Sequence, residues 1–367
     1  MKARCAGLGQ PGFRPFSCIR TASRLRAVFA LALWCAASAS ALTVMSYNVE
    51  NLFDDIRDGT EYREFDPGKG KWTRESFLLR VQALSEVVRK STPGGPDILL
   101  LQEVENGNAL RVLLEKGMRG LGYAWHALVP KKGLATNIAV ASRLPIARIR
   151  THAVGPWKND ATMRDILEAQ VEVSGHVLYI FNNHWKSKTE GGRATEPSRR
   201  ESASVLARRI EEILAHDPAA DIVAAGDMNE SIDEYARAGR RYFTALMPAA
   251  ENERETPATI GIHLSSQPPP FAGSAACCVL FDPWFELEEA MRGSSAWQGD
   301  WLTVDHILLS AGLFDRQGFI YRRASFSALR LPFLLDERGR PRRWAARGGV
   351  GGFSDHLPIL LTLDFRN

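Results

Sequence analysis

Six polar steps in this chain carry the residue types that phosphate ester chemistry uses, and each closes or follows a short apolar run. In order they are Asn48, Glu103, His184, Asp227-Met228-Asn229, Asp305 and Ser354-Asp355-His356. A phosphodiester is an anion that repels hydroxide. Its hydrolysis needs the charge neutralised, a water deprotonated and the leaving oxygen protonated. Glu103 is a hard oxygen donor suited to Mg²⁺, and Asn48 can share or orient that ligation through its amide oxygen. Glu50 lies two residues beyond Asn48 and Asn229 two beyond Asp227, so in regular strands each pair shares a face.

Strands and helices must place these groups. The apolar runs at 43–48, 98–101 and 221–225 are short and bounded by turn signals, which predicts buried strands. Further strands are expected at 123–129, 136–142, 164–173, 176–182, 302–309 and 356–364. Phe77, Leu78, Val81, Leu84, Val87 and Val88 recur at helical spacing, predicting a helix over 74–90 that Pro93-Gly94-Gly95-Pro96 ends. Residues 109–118 predict a second helix, and Val205, Leu206, Ile210, Ile213 and Leu214 a third over 198–215. Strands alternate with helices early and follow one another later, which points to mixed sheets with helices outside. The stretches 57–73, 248–275 and 333–352 read as loops, the last leading directly into Ser354-Asp355-His356.

Residues 1–41 have the form of a secretory leader. Lys2, Arg4, Arg14, Arg20, Arg24 and Arg26 precede an apolar stretch from Ala27 to Ala37 that ends in Ala39-Ser40-Ala41. The stretch is short for a bilayer crossing. The expected product, 42–367, is a single domain without a stable membrane anchor, periplasmic or secreted, and monomeric. The whole chain carries 46 basic and 42 acidic residues. Removing the six basic residues of the leader leaves 40 against 42, a net charge of −2. Net charge therefore implies no general polyanion-binding surface, and attraction to nucleic acid must come from local patches. Cys277 and Cys278 are the cysteines outside the leader. Adjacent cysteines rarely bridge each other and are too few for a metal site.

Ser46-Tyr47-Asn48-Val49-Glu50, Leu101-Gln102-Glu103-Val104, Gly226-Asp227-Met228-Asn229, Val304-Asp305-His306-Ile307 and Ser354-Asp355-His356-Leu357-Pro358 stand in an order that resembles the endonuclease/exonuclease/phosphatase superfamily, the DNase I-like proteins. The likeness extends over 42–367 and is strongest to bacterial secreted nucleases. It implies an α/β fold, a four-layer α/β/β/α sandwich with the site between the edges of two central sheets. It implies a Mg²⁺ or Mn²⁺ cofactor held by Asn48, Glu50, Glu103 and Asp355. It gives His184, Asp227, Asn229, Asp305 and His356 catalytic roles: Asp227 activates or positions water, Asn229 holds the phosphate, and His356, paired with Asp305, serves in acid–base transfer. Arg164 matches an arginine that contacts substrate phosphate, and Asn137 an amide beside the cleft. His184 matches a second histidine that a loop glutamate supports in DNase I. Here the comparable loop, 129–137, holds Lys131 and Lys132 and no acid, which puts a simple Glu–His general acid in doubt.

Lys186, Lys188, Arg193, Arg199 and Arg200 cluster after His184 and could track a nucleic-acid backbone, with Trp185 stacking on a base or sugar. Arginines at 338–347 could add a second bank of charge. The expected function is thus a metal-dependent nuclease cleaving DNA or RNA by direct attack of water. The alternative is an exported phosphodiesterase or phosphatase acting on small or lipid phosphoesters. A catalytically silent binding protein is disfavoured by the intact set of Glu103, Asp227, Asn229 and His356.

Overall fold

The computed structural model describes residues 41–70, 72–155, 163–249, 261–271, 278–344 and 351–366. Residues 1–40 of the expected leader, and Cys277, lie outside the described residues.

The apolar runs become strands. The first four are β1 (Leu42–Leu52), β2 (Ile98–Val104), β3 (Trp125–Val129) and β4 (Asn137–Ser142). Next come β5 (Ile146–His152), β6 (Ile166–Val173), β7 (His176–His184) and β8 (Asp221–Asp227). Short strands follow: β9 (Leu246–Pro248), β10 (Ile262–Ser265), β11 (Cys278–Phe281) and a hairpin of β12 (Ser295–Trp297) and β13 (Asp300–Leu302). The last are β14 (Asp305–Leu309), β15 (Gly318–Tyr321), β16 (Ser327–Ala328) and β17 (Ile359–Arg366). One sheet runs β15-β17-β1-β2-β4-β3, with β16 on β17, and the other β5-β6-β7-β8-β14-β11-β10-β9.

Alternation along the strands sorts side chains into layers. Val44, Ile98, Leu100 and Val140 of the first sheet meet Val171, Ile180, Val223 and Ile307 of the second in a shared core. Their neighbours Met45, Tyr47, Leu99 and Leu101 face the other way, onto Phe77, Val81, Leu84 and Val88. Those four belong to α1 (Arg74–Ser91), which starts where the Thr73 side chain accepts a hydrogen bond from Ser76 N. On the far side Phe181, Ile222 and Ala224 pack against Leu206, Ala207 and Ile210 of α3 (Gly192–His216). Between them in sequence, α2 (Gly107–Val112) is capped by Asn106 and continues into a π-helical turn, Leu113–Gly117. Helix, sheet, sheet, helix is the layering that the motifs implied, and the fold is an α/β sandwich.

The two sheets are also tied by buried amides. Asn182 on β7 donates from Nδ2 to Leu101 O at 3.0 Å and Ala139 O at 2.8 Å, both on the first sheet. Its Oδ1 accepts from Gln102 Nε2 at 2.7 Å. A buried amide so satisfied fixes the lateral placement of the sheets better than apolar contact does, because hydrogen bonds are directional.

Several regions differ from the sequence-based expectation, the strands β11 and β15 among them. β5 is an edge strand with mostly exposed side chains, so it lacks the apolar run that marks a buried strand. α3 begins at Gly192 and carries Pro197 inside it. The stretch read as loop at 248–275 contains the four-residue β10, whose parallel partners β9 and β11 have three and four residues. Among the described residues no helix is long and apolar enough to cross a membrane.

Candidate active site

The ends of β1 and β2 leave regular geometry together. Their register shifts between Asn48 and Leu52. Glu50, Asn51 and Glu103 have φ of 46°, 64° and 66°, left-handed values that cost a non-glycine residue free energy. Local hydrogen bonds hold them: Asn51 N donates to Glu103 Oε2 at 3.0 Å and Glu50 N to Asn48 Oδ1 at 3.0 Å. Beneath them the fully buried Arg80 donates to the Val49 and Glu50 carbonyls.

The second sheet contributes three strand ends in register. His184 lies opposite Asp227, and Asp227 opposite Asp305. Gly226 permits this approach. It has φ of 132°, and a Cβ there would stand 2.0 Å from Asn183 O. Asn229 turns back at φ 52°, its N donating to Asp227 Oδ1 at 3.0 Å and its Nδ2 to Trp185 O at 3.1 Å.

Asn48 joins the two halves. Its Nδ2 donates to Glu103 Oε1 at 3.2 Å and to Asp227 Oδ2 at 2.9 Å. The three residues come from β1, the end of β2 and the end of β8, so the contact exists only once the sheets are stacked.

The two histidines have opposite electrostatics. His356 Nδ1 lies 2.7 Å from Asp305 Oδ2, which also accepts from Ser294 Oγ at 2.5 Å. Burial opposes the charged ring, but the carboxylates of Asp305 and Asp227 outweigh it and hold its pKa well above the usual value. His184 is driven the other way, by burial and by the charges of Arg164 and His356. Its Nε2 is 3.6 Å from Asp227 and 3.8 Å from Glu103, while Nδ1 is buried without a hydrogen-bond partner. The loop acid missing from the sequence is thus missing from the site.

Burial, reinforced by neighbouring acids, raises the carboxyls. Glu103 is pushed up by burial and then by Asp355. Asp227 is pushed to about 7 by burial and by Asp305, against the pull of His356. A divalent cation answers this crowding, since hard oxygen donors that repel one another are stabilised by a shared cation. Glu103, which Asp355 repels and to which Asn48 Nδ2 donates at 3.2 Å, is one such donor. Asp227, Asp305 and His356 also bring ligand atoms within 4.8 Å of one another, although Asp305 Oδ2 is already committed to His356 and Ser294.

Several sequence-based assignments need correction. Asn137 does not face the cleft: its Oδ1 accepts from Lys131 N at 3.0 Å and its Nδ2 donates to Glu105 O at 2.6 Å, so it braces two loops. Lys186 is ion-paired with Glu190 at 2.8 Å. Lys188 pairs with Glu234, and Arg199 is buried between Glu196 and Glu230. The expected basic track after His184 is therefore largely neutralised. Trp185 is buried and donates to Asn183 Oδ1 at 3.1 Å, so it cannot stack on a base. Glu50 does not share a face with Asn48, because the β1 distortion turns it. Its Oε1 accepts from Arg343 Nε at 2.9 Å and its Oε2 from Trp344 N at 2.8 Å. Arg164 does face the site. Thr136 holds its guanidinium through the carbonyl at 3.1 Å and Oγ1 at 2.8 Å, and its charge acts on both Glu103 and His184.

Sequence reading missed Ser294, Arg80 and the particular arginine, Arg343. Ser294 has no sequence signal at all. Arg80 sits on the apolar face of α1, where a charge is itself a signal of a buried partner.

A model of the Endonuclease/Exonuclease/phosphatase family matches residues 43–242. That is more than half of the chain, which therefore belongs to this family. The 5'-tyrosyl-DNA phosphodiesterase of Caenorhabditis elegans is 24% identical over 198 residues, 53% of this chain and 45% of that protein. The chain thus spans less than half the length of that curated relative. The crystal structure of humanized D. rerio TDP2 with 14 mutations superposes with a TM-score of 0.54 at 18% identity, covering 88% of this chain and 98% of that one. D. rerio TDP2 complexed with single strand DNA product gives 0.53 at 17%, covering 88% and 99%. These likenesses concern the fold.

Proposed function

We propose that this chain is a divalent-metal-dependent phosphodiester hydrolase that cleaves nucleic acid by direct attack of water, outside the cytoplasm. The observation that carries the reading is the Asn48 bridge. It sets two carboxylates, Glu103 and Asp227, the latter with a pKa of about 7, on either side of one amide.

The cation, Mg²⁺ or Mn²⁺, would be held by Glu103 with Asn48 and Asp355, and would supply neutralisation of phosphate charge. The remaining work belongs to the chain's own groups. Asp227 is the base: with a pKa near working pH it can accept a proton from water, and Asn48 and Asn229 N fix its oxygens. His356, kept protonated by Asp305, donates to phosphate or to the leaving oxygen. Arg164 supplies a forked cation for two phosphate oxygens. His184, kept neutral, can donate one hydrogen bond without adding charge. Environments that push two like groups apart in pKa are the mark of divided acid–base labour.

The test is hydrolysis by 42–367 of supercoiled plasmid and of bis-p-nitrophenyl phosphate, each with Mg²⁺, Mn²⁺ or EDTA, for wild type, Asp227→Ala and His356→Ala. Metal-dependent nicking lost in both variants supports the reading, and equal activity in EDTA would sink it. A 5'-tyrosyl oligonucleotide belongs in the panel, since a curated relative is named for that linkage.

One observation favours a second reading, a phosphodiesterase of small or lipid phosphoesters. Lys186, Lys188 and Arg199 are committed to acids, which weakens the case for a long backbone track. Turnover of the small ester without cutting of plasmid or RNA would select it.

A further inference from the structure

Arg343 pairs with two acids at the edge of the site. Its Nε lies 2.9 Å from Glu50 Oε1 and its Nη2 3.2 Å from Asp355 Oδ2. The next residue is fastened as well: Trp344 N donates to the other Glu50 oxygen, and its ring lies 4.8 Å from the Arg80 guanidinium. Arg80 in turn donates to the carbonyls of Val49 and Glu50. Two successive residues of one loop are thus locked to the strand end that carries Asn48.

Glu50 is buried and Asp355 is half-buried, and burial, then the nearby charge of Asp355, make Glu50 costly to ionise. Beside them stands Glu103, which Asp355 also repels. Such a trio needs cations, since uncompensated carboxylates out of water are costly. A guanidinium and a divalent ion meet the same need, with one difference. The arginine is tethered and permanently charged, whereas the ion exchanges.

We propose that Arg343 is the resident counter-ion of the Glu50–Asp355 pair and restricts this centre to one exchangeable divalent cation, taken at Glu103. The proposal rests on the metal-dependent reading above. In it Glu50 is a positioning residue that seats Arg343, and the distortion of β1 is what aims Glu50 at the loop. Of the arginines that sequence reading assigned to a second bank for nucleic acid, Arg343 is instead paired with Glu50 and Asp355.

The experiment is Mn²⁺ binding, read by the free-ion EPR signal and by calorimetry, on wild type, Arg343→Gln, Arg343→Lys and the double variant Arg343→Gln/Glu50→Gln. Circular dichroism and Tm confirm folding, which a mostly exposed side chain should not endanger. Wild type should bind one ion per chain and Arg343→Gln two. Arg343→Lys should remain at one because the charge is kept. The double variant should return to one because an acid has been removed along with the arginine. Two ions in wild type, or one in Arg343→Gln at unchanged affinity, would overturn the proposal and leave the metal-dependent function standing. No ion in wild type would overturn both.

Discussion

Asp227 and Asp305 stand opposite each other on β8 and β14, yet they treat His356 differently. Asp305 holds its Nδ1 at 2.7 Å, while Asp227 faces Nε2 across 3.9 Å. Both carboxylates favour the charged ring, but only Asp305 is within hydrogen-bonding distance of it.

Asp305→Asn keeps the shape and removes the charge. His356 then loses most of what raises its pKa, and activity that needs the imidazolium should fail at lower pH. We expect kcat on a small diester to drop about 10²–10⁴-fold, with the basic limb of the pH profile displaced downward. An unchanged basic limb would contradict the pairing.

Asp227 must be ionised to act as a base. Its pKa of about 7 is set without a cation, and a nearby cation can only lower it. The acid limb of kcat/KM should therefore fall at or below about pH 7 and move up as Mg²⁺ is reduced. A limb above pH 8 in saturating metal would exclude Asp227 as the base.

Arg164 and Lys186 were equal candidates by sequence and are unequal in structure. Losing a charge-assisted contact to phosphate costs about 1.5–3 kcal/mol, about 10–10²-fold in kcat/KM. Arg164→Ala should show that loss on both plasmid and small diester. Lys186→Ala, whose charge already answers Glu190, should stay within about threefold of wild type, the scale of an exposed ion pair worth ~0.5 kcal/mol.

Asp221 is a stability probe away from the site. Burial pushes its carboxyl up to about 8, and its Oδ2 accepts from Phe319 N at 3.1 Å. The folded state therefore favours the protonated acid, and stability falls as pH rises from the unfolded value near 4 through about 8. Asp221→Asn mimics the protonated form. Its Tm should match wild type near pH 4 and exceed it by a few °C at pH 9, about the effect of ~1 kcal/mol in a domain of this size. A constant difference across the range would refute the account.

Export is tested by mass. The chain secreted from an expressing bacterium should begin at Leu42, after the Ala39-Ser40-Ala41 step. An intact N-terminus in a membrane fraction would instead indicate an anchor.

Much of the site was legible because strand ends are marked in sequence. Asn48, Glu103 and Asp227 each close an apolar run and Asp305 opens one, and a buried run can carry a polar residue only where it reaches a cleft. Ser294 and Arg80 lacked such a mark. Ser294 acts on Asp305 through its hydroxyl, from just ahead of a hairpin with no pattern of its own. The basic residues after His184 misled for a different reason. Charge is visible in sequence, but its partner is not: Glu234 lies 46 positions from Lys188, and Glu230 lies 31 from Arg199.

By itself, the sequence determined the layers and the donor types. Two-residue alternation in β1, β2 and β8 dictates which face meets the other sheet and which meets a helix, whatever the details of the turns. Tertiary structure alone decided which polar groups are spent and which remain. Asn137 opens β4, and Asn48 sits where β1 leaves its regular register. One is consumed by backbone atoms of loops, and the other bridges Glu103 and Asp227. Glu50 passes from the Asn48 face to Arg343 through a left-handed φ that no local sequence rule requires of a glutamate. These outcomes depend on distances between residues far apart in the chain, and hydrogen bonds and ion pairs are decided at that range.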